Sequence, residues 1–62
     1  MIVEGVPYHP YRITLAFKDG RRARWRRWCP GAPWIRETIN REIAARGIGP
    51  ELRTVVIRSE EA

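Results

Sequence analysis

Sixty-two residues allow one small domain spanning 1–62, and a chain this short buries only about 60 % of the surface its unfolded form exposes. One cysteine, Cys29, and one histidine, His9, exclude an internal disulfide and a His/Cys zinc site, and no apolar run approaches the ~20 residues of a membrane span. Twelve Lys and Arg against seven Asp and Glu give a net charge of +5 and an isoelectric point near 10.7, which favours anionic partners such as nucleic acid or an acidic surface over cationic ones.

Met1 to Val3 offers a short fourth strand at the start of the chain. Tyr8, His9 and Tyr11 are cut by Pro7 and Pro10, so this segment is extended and reads as a lid over one end of the core or an arm reaching a partner. Tyr11 to Phe17 alternates strictly, with Tyr11, Ile13, Leu15 and Phe17 on one side and Arg12, Thr14 and Ala16 on the other, the pattern of a half-buried strand. Asp19-Gly20 supplies a turn, and Arg21 to Trp28 is the returning strand, giving a hairpin over about 11–28.

Two registers compete in that hairpin. A two-residue loop of Asp19-Gly20 pairs Leu15 with Arg24 and Ile13 with Arg26, which drives guanidinium groups under the core. A three-residue loop, Lys18-Asp19-Gly20 with the glycine left-handed, pairs Phe17 with Arg21, Leu15 with Ala23 and Ile13 with Trp25. The second is favoured, because burying unpaired charge costs several kcal/mol per group, roughly, and outweighs any difference between turn types.

Pro30-Gly31-Ala32-Pro33 ends the hairpin and opens a helix over about 33–46, with Ile35, Ile39 and Ile43 as the buried stripe. Gly47 is placed as the left-handed cap, with Ile48 packing back on Ile43. Glu37 with Arg41 and Glu42 with Arg46 are spaced as i,i+4 pairs. Glu42 lies close to the isoleucine stripe, so a partner in Arg46 or in an inward-facing Arg27 is expected. Gly49-Pro50 turns the chain into a last strand over about 52–59, rich in β-branched residues, and Glu60-Glu61-Ala62 is expected to fray.

The expected architecture is α+β, in the order β-β-α-β. It is a single antiparallel three-stranded sheet in spatial order 3-1-2, the last strand running parallel in direction to the second, with one helix on one face and Met1 to Val3 as a short fourth strand. A right-handed crossover of the helix over the first strand produces that order and puts Ile13 and Leu15 at the centre.

With this register Arg12, Arg22, Arg24 and Arg26 project from the sheet face opposite the helix, and Trp28 shares their parity. Lys18 is the only lysine beside eleven arginines, and arginine is the better fork for phosphate and carboxylate oxygens. Arg26 falls directly opposite Arg12, a like-charge pair that folding alone does not select. Basic side chains with an aromatic at their margin suit phosphate neutralisation and base stacking, and Arg12, Arg22, Arg24, Arg26, Trp28 and Lys18 are the candidate binding residues. The competing view is structural: charged side chains on an edge strand block edge-to-edge aggregation, and an uncovered sheet face must be polar in any case. In form alone, with no shared motif, the layout resembles three-stranded domains that lay a sheet in the DNA major groove, such as integrase arm-binding domains, although those place the helix after all three strands.

Among the remaining residues, Trp25 is expected between helix and hairpin, Trp34 as a partly buried anchor, Cys29 as a passive half-buried thiol and His9 as a surface histidine. Nucleotide-loop, dinucleotide, zinc-protease and serine-hydrolase motifs are absent from the sequence, and neither an enzyme nor a cofactor is expected. Met1-Ile2-Val3-Glu4 is not a signal peptide, so a cytoplasmic protein without membrane contact is expected. Two functions follow. One is a small module that binds nucleic acid, DNA or RNA, through its arginine-bearing sheet face. The other is a protein-interaction factor, of the inhibitor or accessory-subunit kind, that docks its basic face or an edge strand on an acidic protein surface. An exposed edge strand also offers a route to a homodimer.

Overall fold

Alternating side chains and one glycine-bearing turn build the framework. The computed structural model describes residues 1–61. In chain order it contains β1 (Ile2–Val3), β2 (Val6–Pro7), β3 (His9–Phe17), β4 (Arg22–Cys29), α1 (Ala32–Arg46), a 3-10 turn at Gly49–Glu51 and β5 (Leu52–Ser59). β3 and β4 are joined by the three-residue loop: the Phe17 N–H donates to the Arg21 carbonyl at 2.9 Å, the Gly20 N–H donates to the Phe17 carbonyl at 3.0 Å, and Gly20 has φ +93°. Leu15 therefore faces Ala23 and Ile13 faces Trp25. Asp19 reinforces the loop, its carboxylate accepting from the Arg21 backbone N–H at 3.0 Å and from Arg21 Nε at 2.6 Å. The backbone hydrogen bond, more than the guanidinium charge, holds the Asp19 carboxyl below its ordinary value.

β5 lies antiparallel on the other side of β3, with Ile13 opposite Ile57 and Leu15 opposite Val55, so the order is β4-β3-β5. This part agrees with the expected order of the three long strands. The expected single sheet with a fourth strand is not what forms: five strands lie in two separate antiparallel sheets, β1-β2 and β4-β3-β5, beside the one helix. The cause is a turn at Glu4-Gly5, both left-handed with φ +50° and +81°. Such a turn matches the twist of a tight hairpin. It folds Ile2 onto Pro7 and Val3 onto Val6, and the Tyr8 N–H closes the loop on the Met1 carbonyl at 2.6 Å. The segment meets its own hydrogen-bonding needs and requires no place in the larger sheet.

Two strand ends also differ from expectation. β3 begins at His9, not Tyr11, so the long hairpin takes in His9 opposite Cys29 and Pro10 opposite Trp28. A proline near the start of a strand is tolerated, and the Pro10 carbonyl accepts the Glu60 N–H at 3.0 Å. That bond continues the ladder past β5, so Glu60 is pinned where fraying was expected. Glu61 is held as well, its Oε1 2.7 Å from His9 Nδ1.

α1 opens at Gly31, whose carbonyl accepts the N–H groups of Trp34 and Ile35 at 3.1 Å, with Pro33 in the first turn. It ends on Gly47 at φ +67°, where the Gly47 N–H donates to Ala44 and the Ile48 N–H to Ile43, the paired bonds of a Schellman ending. Ile35 and Ile39 are buried with Ile13, Leu15 and Cys29, and Trp25 and Ile43 are half-buried against them. Five buried core side chains among the described residues make a thin core, so the contact between helix and sheet needs further support.

Glu42 provides it. Arg27, inward-facing on β4, donates from Nε to Glu42 Oε2 at 3.0 Å and from Nη2 to Oε1, while Arg46 donates to the same Oε1 at 3.1 Å. Both guanidinium groups lie over the Trp25 ring, with centroid distances of 5.3 Å for Arg27 and 4.8 Å for Arg46. One carboxylate thus ties α1 to β4 through two cations that also stack on the indole. The Arg27 hydrogen bond holds the Glu42 carboxyl below its ordinary value, against the opposing effect of partial burial and with help from Arg46. Because the folded value is depressed, this stabilisation is complete above the ordinary carboxyl value of 4.5 and is lost as pH falls below it through the folded value. Glu42→Gln should lower stability at pH 7 by about 1–2 kcal/mol, roughly 8–15 °C in Tm for a domain of this size. The gap from wild type should close in thermal melts as pH is lowered into the acid range.

Candidate nucleic-acid interface

Strand alternation decides what the face away from α1 carries. With Ile13 and Leu15 inward, Arg12, Thr14 and Ala16 of β3 point outward, and pairing brings Arg26, Arg24 and Arg22 of β4 beside them. On the other side Arg58, Val56 and Thr54 of β5 fall opposite the same three residues. The open face therefore has rows: Arg26-Arg12-Arg58 across all three strands, then Arg24-Thr14-Val56, then Arg22-Ala16-Thr54. All the arginines in these rows are exposed. Along β4 successive outward arginines are spaced about 6.8 Å apart, comparable to the separation of consecutive phosphates in a polynucleotide strand.

Three arginines abreast are mutually repulsive, and one acid relieves them. Glu60 Oε1 lies 3.1 Å from Arg26 Nε, and Glu60 Oε2 lies 3.9 Å from Arg12 Nη2. The Glu60 side chain is only 20 % exposed, against 62 % for Arg26 and 58 % for Arg12, so it sits beneath guanidinium groups that remain open to solvent. Among the described residues Arg22, Arg24 and Arg58 make no ion pair. The face keeps a net positive charge, held on strands rather than on loops.

Of the residues expected at this site, Arg12, Arg22, Arg24 and Arg26 share the open face. Trp28 lies at its end beyond Arg26, 41 % exposed, with the Arg26 guanidinium 5.8 Å from the indole ring. Lys18 is not part of the cluster. It sits in the loop at the far end of the hairpin, its N–H bonded to the Glu51 carbonyl at 2.9 Å. Arg58 belongs to the site and was missed. Its signal was the parity of the last strand: Ile57 faces inward opposite Ile13, so Arg58 must face outward opposite Arg12.

Trp28 also borders a groove of about 570 Å³ lined by Val6, Tyr8, Cys29, Pro30, Trp34 and Thr38. Trp34 was expected as a partly buried anchor but is 58 % exposed, because its position in the first turn of α1 points away from the Ile35-Ile39 stripe. The Cys29 thiol is buried and 3.8 Å from the Thr38 hydroxyl. Among the described residues no three His, Cys, Asp or Glu side chains gather as a metal site, and no helix is long and apolar enough to cross a membrane.

Protein-family models, curated proteins and solved structures contain no match to this chain. The chemistry of the face is thus what bears on its partner. Glu60→Gln should lower Tm at low ionic strength by the equivalent of about 0.5–1 kcal/mol, by leaving the arginine row unrelieved. Added salt should recover most of that loss in a melting series, because exposed charges are screened within about 10 Å at 0.1 M.

Proposed function

We propose that this protein binds nucleic acid, laying the open face of its three-stranded sheet against the phosphate backbone. The observation that carries this reading is the convergence of Arg12, Arg22, Arg24, Arg26 and Arg58 on one uncovered face, with Glu60 as the one carboxylate paired to them among the described residues. Folding gains nothing from Arg26-Arg12-Arg58 abreast, whereas an anionic polymer neutralises all three and releases its own condensed counterions. Arginine in place of lysine adds bidentate geometry for phosphate oxygens. The role assigned is binding, with Arg22, Arg24 and Arg58 as the free phosphate contacts and Arg12 and Arg26 shared with Glu60.

A second reading is supported by β5. It is an edge strand of eight residues with Val55 37 % and Val56 40 % exposed, one on each face. An unpaired edge of this kind suits strand addition by a protein partner with an acidic flank that meets the basic face. The two readings differ in which strand matters.

Binding of labelled oligonucleotides, followed by fluorescence anisotropy across a salt series, separates them. Four to five phosphate contacts predict a log–log salt slope of about −3.6 to −4.5 on duplex DNA and about −2.8 to −3.5 on a single strand. Arg22→Ala and Arg24→Ala should each make that slope shallower by about 0.7–0.9 and weaken affinity, with Tm within a degree or two of wild type. Absence of binding to duplex DNA, single-stranded DNA and RNA at low salt would overturn the proposal and favour a protein partner at the β5 edge.

A further inference from the structure

The groove beside Trp28 bears on which form of nucleic acid the face accepts. It is bordered by two exposed indoles, Trp28 at 41 % and Trp34 at 58 %, together with Val6 at 44 %, a concentration of apolar surface that a chain with so thin a core leaves uncovered. The β1-β2 hairpin supplies one side through Val6 and Tyr8, and the start of α1 supplies another through Trp34 and Thr38. Its size falls within the range of small-molecule and cofactor sites. The groove is also continuous with the basic face, since Trp28 lines it while lying under the Arg26 guanidinium, and Arg26 heads the Arg26-Arg12-Arg58 row.

We infer that the groove receives an unstacked base of a single-stranded nucleic acid whose phosphates run along the arginine rows. The inference rests on the phosphate-binding reading of the sheet face and adds the class of polymer. A base within a duplex has both faces covered by its neighbours and its edge paired, so it cannot present an aromatic face to Trp28 or Trp34. A single strand offers a flat aromatic face at each nucleotide, together with a phosphate to either side. Cationic strands beside exposed aromatic side chains are the combination that holds single strands without reading sequence. The charge decides the occupant: an apolar peptide would fill the groove but would leave Arg22, Arg24 and Arg58, which make no ion pair among the described residues, unneutralised on the adjoining face.

The test compares one short sequence as single-stranded DNA, as single-stranded RNA, as a matched duplex and as a single strand with abasic sites, each titrated against the full chain while intrinsic tryptophan fluorescence is read. Either single strand should bind at least tenfold tighter than the duplex and quench the tryptophans, and abasic substitution should remove the quenching and most of that advantage. Trp34→Leu and Trp28→Leu should each weaken single-strand binding by roughly 5- to 150-fold, the effect of losing one stacked base. Trp34→Leu should leave the salt slope unchanged, because the indole carries no charge, whereas arginine variants make the slope shallower. Both tryptophans are exposed, so unchanged melting of the variants is expected and serves as the folding control.

If duplex and single strand bind equally, or the abasic strand binds as well as the intact one, the base-binding groove is overturned while the phosphate-binding face stands. If none of the four binds, both fail.

Discussion

Everything this protein presents to its surroundings depends on the phase of one hairpin. The loop Lys18-Asp19-Gly20 has to close with Phe17 against Arg21, because only then do Leu15 and Ile13 meet Ala23 and Trp25 beneath the helix. Shifted by one residue, Arg24 and Arg26 would lie under α1 and the core would be lost. The constraint that saves the core also gathers the charges: with side chains alternating, keeping arginine out of the interior on β4 places all of its even-numbered arginines on the opposite face. Asp19 and Gly20 fix the geometry locally, through the carboxylate contacts to Arg21 and the left-handed glycine. A turn at one end of the hairpin thus determines the composition of the whole open face.

The core itself is minimal, and charge contributes to holding the layers together. Glu42 and its two arginine partners span the gap between α1 and β4 and stack on Trp25, so a half-buried indole serves where a larger apolar interior is lacking. On the open face a single carboxylate, Glu60, performs a related task for Arg12 and Arg26 but leaves them exposed. The difference between the two clusters is instructive. Around Glu42 the cations are consumed by the fold, since Arg27 donates from two of its nitrogens to that carboxylate. Around Glu60 they are restrained without being covered, and among the described residues Arg22, Arg24 and Arg58 beside them make no ion pair.

Much of this was legible in the residues. Strict alternation over Tyr11–Phe17 determined both the register and the outward placement of Arg12, Arg22, Arg24 and Arg26, and the isoleucine spacing with Gly47 marked the helix and its end. The N-terminal hairpin was not anticipated, because Glu4 is a non-glycine residue in a left-handed conformation, which composition does not announce. Arg58 was overlooked because its side depends on pairing with β3 across a long separation in sequence, and the bulge near Phe17 interrupts that ladder. Pinning of Glu60 was hidden for a similar reason: its partners, Pro10, Arg12 and Arg26, are brought to it only by the finished sheet. The groove beside Trp28 combines the first hairpin, the end of β4 and the first turn of α1, three places with no sequence relation, so no local pattern could expose it.

The central claim is that guanidinium groups converging on the open sheet face are what a polynucleotide meets. The most direct measurement is an NMR titration that follows arginine Nε–Hε and tryptophan indole N–H resonances as a short oligonucleotide is added. The account predicts shifts concentrated at Arg12, Arg22, Arg24, Arg26 and Arg58, with the Trp28 indole among them and with Arg27 and Arg46 unmoved in their Glu42 clamp. Shifts centred instead on Arg36, Arg41 and Arg46 of the helix, or spread evenly over every arginine, would contradict it.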